Sequence, residues 1–155
     1  MLNWTDAGAA RGWIMNTPDE NDRVVPLAIP EPDVENPLPI VLAKDGTLVL
    51  SYLAWLGRKH SHIVATFHVA FGHRFGPPDR RGLAAHPLAA RGLKPDGAFE
   101  VKGSSWAQDC FAGKGKHYVF TFRDAVFECV AEGYGSETIE EDADVVRLMA
   151  RRLYK

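Results

Sequence analysis

Cysteine, long hydrophobic runs and a leader-like N-terminus are the features that this sequence most clearly lacks. The 155 residues include two cysteines, Cys110 and Cys129, too few for a disulfide scaffold or a zinc cluster. No apolar stretch approaches the ~20 residues that span a bilayer. The N-terminal MLNWTDAGAARG has neither the basic start nor the apolar centre of a signal peptide. We therefore expect a cytoplasmic protein with reduced thiols and no membrane segment.

Three motifs of nucleotide binding and nucleophilic catalysis are also missing. Residues 133–135 (GYG) lack the third glycine of a dinucleotide-binding loop and are followed by acidic residues, which repel a pyrophosphate. Residues 113–116 (GKGK) lack the GxxxxGK[ST] frame of a phosphate loop. Residues 103–105 (GSS) do not fit GxSxG, and no set of serine, histidine and acid is evident. Sequence repeats are absent as well.

The chain carries 18 Lys or Arg and 20 Asp or Glu residues, and these charges are unevenly placed. The net charge is −2, yet residues 1–37 and 128–144 are acidic, whereas residues 57–95 carry seven Lys or Arg, one acid and five of the six histidines. A basic, His-rich middle between acidic ends favours anion binding or self-association. A nucleic-acid partner is not expected, because the net charge is negative and no stacking motif accompanies the basic residues.

Residues 116–132 (KHYVFTFRDAVFECVAE) show the clearest structural pattern, an apolar residue at every second position. With a tip at Arg123-Asp124, Phe120 pairs with Phe127 and Tyr118 with Cys129, so that one face is apolar. A one-residue slip would turn the second strand's aromatic face outward. The sequence therefore predicts a hairpin in this register, with a buried Cys129 and with His117, Val119, Thr121 and Arg123 on the opposite face.

Four further strands are predicted upstream, two of them in a hairpin. Residues 38–55 form a second hairpin around Asp45-Gly46, because a type I′ turn needs positive φ at both central residues. Its second strand, LVLSYLAW, is apolar on both faces and is expected at the centre of the sheet. A third strand covers residues 62–71, with Ile63, Ala65, Phe67, Val69 and Phe71 on one face, and a fourth lies near residues 98–106.

Proline and capping residues indicate the remaining segments. Residues 1–17 are expected to form a short helix or irregular arm, and the prolines that follow predict an extended strap with edge pairing at Val24-Val25 and 27–29. Asp79 caps short helical turns within 79–91. Thr138 and Glu141 form a capping-box pair that begins a helix over 138–154.

These elements predict one domain over residues 1–155 of the mainly β (α+β) class. Its sheet is antiparallel and curled, or a partial barrel, and the C-terminal amphipathic helix packs on it. The expected parts are an acidic, Pro-rich arm (1–37), a β-rich core (38–132) and the helix (138–154).

The histidines of the basic segment are the best chemical candidates. His60, His62 and His68 share one face of an extended strand, and two imidazoles in an HxH pair can bind a divalent transition metal. With Arg58 and Arg74, His62 and His68 can instead contact an anion. Cys110 lies close to Lys114 and Lys116 in sequence, surroundings that favour a lowered thiol pKa.

Three hypotheses about function follow. The leading one is a small-molecule-binding protein that holds an anionic ligand at Arg58, His62, His68 and Arg74. The first alternative is a metal-dependent enzyme with His60, His62 and His68 as ligands. The second is a protein–protein interaction or homo-oligomerisation module in which the basic segment meets an acidic one.

Overall fold

The computed structural model describes residues 21–110 and 113–154, and the arm predicted over residues 1–17 lies outside them. The described residues form one seven-stranded antiparallel sheet in the order β1-β5-β6-β7-β4-β3-β2. The strands are β1 Arg23–Pro26, β2 Ile40–Lys44, β3 Thr47–Leu56, β4 Lys59–Gly76, β5 Gly97–Lys102, β6 Lys116–Thr121 and β7 Val126–Glu140.

The sheet is built from two meanders. Strands β2, β3 and β4 form one, β5, β6 and β7 form the other, and β4 pairs with β7 to join them. Strand β1 is added at the outer side of β5. Strands β1 and β2 remain as edges, so the curled sheet does not close. The predicted fold class is confirmed.

The concave face of the sheet encloses the main core. Leu50, Phe67, Ala98, Phe120 and Phe127, from five strands, belong to one buried cluster. Its rings meet in tilted and edge-on geometries, with centroids 5.6 Å apart for Phe67 and Phe127 and 6.0 Å for Phe67 and Phe120, as aromatic pairs prefer. Side chains from distant strands meet here because the sheet curls around them.

Two separate segments cover the convex face. Over β5, β6 and β7 lies the connection between β4 and β5, which contains the 3-10 helices Arg80–Ala85 and Ala89–Arg91; its Leu83, Leu88 and Leu93 pack against Val119. Over β3 and β4 lies the C-terminal helix Val145–Leu153, whose Val145 and Met149 pack against Val49 and Val64. Strand β3 is therefore buried on both faces, as predicted, but it lies next to edge strand β2, not at the centre.

Both predicted hairpins are confirmed in register. Lys44 pairs with Thr47 across a turn in which Asp45 has φ 49° and Gly46 φ 78°, the positive values of a type I′ turn. In the other hairpin Phe120 pairs with Phe127 and Tyr118 with Cys129.

The predicted strap is also present. Val24 and Val25 pair with β5, and the chain then crosses toward β3. There the amide of Asp33 donates to the carbonyl of Leu53 at 2.8 Å, and the amide of Leu53 donates to the carbonyl of Pro37 at 2.7 Å. The Tyr52 hydroxyl donates to the carbonyl of Pro30 at 2.6 Å. The strap thus links β1 to the β3 side of the sheet.

Three predicted boundaries are wrong. Strand β5 ends at Lys102, not near residue 106, and a short helix follows at Ser105–Gln108. The helix does not begin at Thr138, because Thr138 pairs with Ile63 and β7 continues to Glu140; the helix begins at Val145, after Asp144. Strand β4 is longer than predicted, and its alternation is interrupted at Val69, which has φ 52° and is 45% exposed. The register against β7 shifts by one residue between Ala70 and Gly72, as at a β-bulge. None of the helices in the described residues is long and apolar enough to cross a membrane.

Candidate functional site

The structure spreads the predicted site residues along one strand. His60, His62 and His68 lie in β4, Arg58 precedes that strand, and Arg74 lies near its far end. At ~3.3 Å per residue, Arg58 and Arg74 are separated by roughly 50 Å of chain, and they do not share a pocket. The C-terminal helix packs on Val64, which lies between His62 and His68 on the same face. His62 and His68 are thus on opposite sides of the helix.

His60 and His62 form hydrogen bonds with other parts of the chain. His60 Nε2 lies 2.9 Å from Asp33 Oδ2 in the strap, and its ring packs on Trp55 with centroids 4.0 Å apart. His62 Nε2 donates to the backbone carbonyl of Glu141 at 2.9 Å. Within residues 21–110 and 113–154 no three His, Cys, Asp or Glu side chains are placed to hold one metal ion. The metal site stays a prediction.

His68 lies at an open groove of about 440 Å³ on the convex face, beside the end of the C-terminal helix. Most of the lining residues have polar side chains, and they come from β3, β4, β7 and the helix: Thr47, Thr66, His68, Gly135, Ser136, Glu137 and Arg152. We call this the His68 groove.

An ion pair forms one wall of the His68 groove. Arg152 donates from Nε and Nη2 to the two carboxylate oxygens of Glu137, both at 2.7 Å. These hydrogen bonds to Glu137 raise the pKa of the Arg152 guanidinium. A guanidinium has five N–H donors, so that donors beyond this pair remain for a ligand.

Gly135 forms part of the floor of the groove. It pairs with Thr66, and a Cβ built on it meets no atom within 4 Å. Its φ is outside the left-handed region. The missing side chain therefore leaves open volume, and no backbone strain requires glycine here.

A second polar site is buried beneath the β4–β5 connection. Glu128 in β7 is 1% exposed, and two histidine rings form hydrogen bonds with its carboxylate. His117 Nε2 lies 2.9 Å from Oε1, and His86 Nε2 lies 3.1 Å from Oε2. On its other side, His117 Nδ1 lies 2.9 Å from Ser104 Oγ. We call Ser104, His117, Glu128 and His86 the buried cluster.

Hydrogen bonding determines where the protons of the buried cluster lie. Burial alone would raise the pKa of Glu128, but hydrogen bonds from His117 and His86 lower it to about 2, so the carboxylate is ionised and only accepts. His117 therefore donates from Nε2. When its imidazole is neutral, Nδ1 accepts from the hydroxyl of Ser104. His86 Nδ1 accepts from the amide of Leu88 at 3.0 Å, which leaves its Nε2–H for Glu128.

Each member of the buried cluster is placed by its local structure. Val119 pairs with Glu128 across β6 and β7, so His117 is the diagonal neighbour of Glu128 on the convex face. Ser104 follows Gly103, whose φ is 78° and whose added Cβ would lie 2.5 Å from the carbonyl oxygen of Asn21. Ser104 is then the N-cap of the short helix Ser105–Gln108, and its Oγ accepts the amide of Ala107 at 3.3 Å.

A small cavity of about 20 Å³ adjoins the buried cluster, enough for about one water. Its other lining residues are Asp22, Pro87, Leu88, Ser105 and Trp106. The Trp106 ring stands edge-on to His117, with centroids 5.1 Å apart. Pro87 is exposed and Ser105 and Trp106 are half-buried, so the cavity is close to the surface on this side.

Comparison with known proteins gives no relative for this site or this fold. No protein-family model, curated protein or solved structure matches the chain.

The cysteines do not form part of either site. Cys129 is fully buried, as predicted, and burial raises its thiol pKa. The lowered pKa expected for Cys110 is wrong: burial, with a contribution from Asp109, raises it. Nearby lysines in sequence do not outweigh these effects.

Sequence reasoning missed the buried cluster, although one signal for it was present. The predicted hairpin register already places His117 diagonally opposite Glu128 on one face. Ser104 and His86 come from separate connections, and no spacing in the sequence links them to that pair.

Proposed function

We propose that this protein binds a small anionic ligand in the His68 groove. The observation that carries the proposal is the convergence of a histidine, an arginine and two threonine hydroxyls on one open volume of about 440 Å³. Of the four residues in the predicted anion site, His68 is the one that lies there. A cytoplasmic location belongs to the same proposal.

The groove offers the donors that a carboxylate or phosphate group needs. Thr47 and Thr66 carry hydroxyl donors, Arg152 retains N–H donors beyond those used by Glu137, and a protonated His68 adds positive charge. Because Glu137 neutralises part of the Arg152 charge, we expect modest affinity.

Gly135→Val tests the proposal without removing any polar group. The new side chain extends into the open groove, where its Cβ meets nothing within 4 Å, and it should block the ligand. Replacing a strand glycine stabilises by ~0.5–1 kcal/mol, so the variant should fold at least as well as the native chain. The measurement is the melting temperature with and without phosphate or citrate.

Gly76→Val is the matched control, because a Cβ at Gly76 in β4 also meets nothing within 4 Å and Gly76 is not part of the groove. At an anion concentration of ten times Kd, binding stabilises by ~1.4 kcal/mol, a melting-point rise of roughly 2–5 °C. We expect this rise in the native chain and in Gly76→Val, and its loss in Gly135→Val and His68→Ala. An equal rise in all four proteins, or in none, would overturn the proposal.

The two alternatives lack a comparable observation. His60 and His62, two of the predicted metal ligands, form hydrogen bonds with Asp33 and with the backbone of Glu141. For the interaction module, nothing in the described residues identifies a surface that would contact a partner. Both stay predictions.

A further inference from the structure

We infer that Ser104 is a nucleophile that accepts an acyl group from a small activated ester, with His117 as its general base and Glu128 orienting that base. This activity is independent of the His68 groove, which lies on the other half of the convex face. It rests on the hydrogen-bonded order of Ser104, His117 and Glu128.

His117 forms a hydrogen bond at each of its two ring nitrogens. With a neutral His117, the Ser104 hydroxyl donates to Nδ1 across 2.9 Å, while the opposite ring nitrogen donates to Glu128 across 2.9 Å. A serine activated by an imidazole whose far side is held by a carboxylate is the arrangement that nucleophilic catalysis requires. Either ring nitrogen can act as the base, provided that the other carries the proton.

Glu128 must remain charged if it is to stabilise the imidazolium that His117 becomes when it takes the proton of Ser104. A fully buried carboxylate would ordinarily be neutralised. Here His86 supplies a second N–H at 3.1 Å, and His86 is itself fixed by the amide of Leu88. His86 is therefore a positioning residue that keeps the carboxylate ionised and in place.

In the proposed reaction, the ester reaches Ser104 through the small cavity beside the buried cluster. Ser104 is 4% exposed, but the cavity beside it lies next to Pro87, Ser105 and Trp106, which are not fully buried. With about 20 Å³ of space, the cavity holds about one water, so only the carbonyl oxygen of an ester fits inside it. The smallest acyl groups, formyl and acetyl, should therefore react best, and larger acyl groups should react poorly.

The chemistry balances without a cofactor. Ser104 Oγ bonds to the carbonyl carbon of the ester while its proton moves to His117 Nδ1. The bond from that carbon to the leaving oxygen then breaks, and the leaving group takes the proton from His117. Water attacks the resulting acyl-serine, His117 removes a proton from the water, and Ser104 Oγ regains one as the carboxylic acid leaves.

The test is site-specific acetylation of the full chain by p-nitrophenyl acetate. We expect a burst of p-nitrophenolate, and peptide mass spectrometry should place the acetyl group on Ser104 in preference to its neighbour Ser105. General-base catalysis typically contributes at least ~100-fold, so the native chain should react at Ser104 about that much faster than the chain unfolded in urea.

Two variants separate catalysis from folding. Ser104→Asn removes the hydroxyl but keeps an N-cap acceptor for the short helix, and it should abolish the burst. His117→Gln keeps a donor for Glu128 but has no base, and it should slow acetylation of Ser104 by ~100-fold. Melting curves establish whether each variant is folded.

The native chain decides the question even if both variants unfold. Acetylation of native Ser104 at the rate of the unfolded chain, or no acetylation there, would overturn the inference. So would a folded His117→Gln that reacts as fast as the native chain. p-Nitrophenyl butyrate is the size control: preferential labelling of Ser104 by butyrate would contradict the role of the small cavity.

Discussion

At the scale of single residues, Glu128 is the least expected feature of the core. Moving an isolated carboxylate into a protein interior costs several kcal/mol, and Glu128 is 1% exposed. The donors on His117 and His86 offset this cost, and they do so only while Glu128 is charged. The buried cluster is therefore sensitive to acid.

Glu128→Gln should remove this acid sensitivity. The folded pKa of Glu128 is lowered from 4.5 to about 2, so its stabilisation is fully present above about pH 4.5 and is lost as the pH falls toward 2, on the order of 3 kcal/mol. At neutral pH the variant should be less stable, because a neutral amide replaces the charged acceptor.

Urea unfolding at about pH 7 and at about pH 3 provides the measurement. The other carboxylates titrate in both proteins. The difference between the unfolding free energies of the native chain and the variant therefore reports the contribution of Glu128. The stability difference between the native chain and the variant should shrink at the lower pH. A difference that stays constant or grows would show that Glu128 is not held ionised by its two histidines.

Thr121 illustrates how far sequence reasoning reaches at this scale. The alternation of β6 correctly assigns Thr121 to the face opposite Phe120, but it does not determine whether that face is buried. Thr121 is 1% exposed, and its hydroxyl donates to the carbonyl of Lys94 at 2.7 Å. Period two determines which face a residue occupies, whereas its burial depends on the β4–β5 connection, whose path no local pattern specifies.

At the scale of elements, the boundary between β7 and the C-terminal helix was the main error. Thr138 and Glu141 have the capping-box spacing, but cross-strand pairing of Thr138 with Ile63 outweighs this local preference. The actual N-cap is Asp144, whose Oδ1 accepts the amide of Arg147 at 3.1 Å. The helical period of the apolar residues located the helix, but it did not locate its first residue.

Asp144→Ala should therefore cost ~0.5–2 kcal/mol of stability, the usual value for a lost N-cap. Asp142→Ala is the matched control, since Asp142 is an exposed acid two positions earlier, outside the helix, and its removal should change stability by no more than ~0.5 kcal/mol. Urea unfolding of both variants is the measurement. Equal losses would indicate that general charge, not the cap, stabilises the helix.

At the scale of the whole molecule, the sheet has a covered convex face in addition to its enclosed core. The C-terminal helix covers one half of that face through Val145 and Met149. Fully burying such a side chain is worth ~1.5–3 kcal/mol, which is large against a total stability of ~5–15 kcal/mol. Deletion of residues 143–155 should thus leave a chain that aggregates or has no cooperative melting transition.

Two point variants of the full chain calibrate this deletion. Met149→Ala removes a side chain that is 0% exposed and should cost ~2–5 kcal/mol. Val146→Ala removes one that is 49% exposed and should cost under ~0.5 kcal/mol. A truncated chain with an unchanged, sharp melting transition would mean that the helix adds little to the sheet.

The order of the strands in the sheet could not be predicted from the sequence. The hairpins were predictable because a turn and a period of two specify them locally. The pairing of β4 with β7, which assembles the complete sheet, joins residues as distant in sequence as Ser61 and Glu140. No turn connects these strands, so their partnership depends on the tertiary fit of two apolar faces.

The pairing of β4 with β7, here called the β4–β7 joint, also affects the rate of folding. Each meander contains hairpins that close short loops and can form within microseconds. The joint instead requires two long strands to find one register, including the shift beyond Val69, before most of the core is enclosed. Because such non-local pairing must lose chain entropy before its contacts form, it should be the slow step of folding. A domain of this kind is expected to fold in milliseconds to seconds, with both meanders transiently exposing the strand edges that later meet.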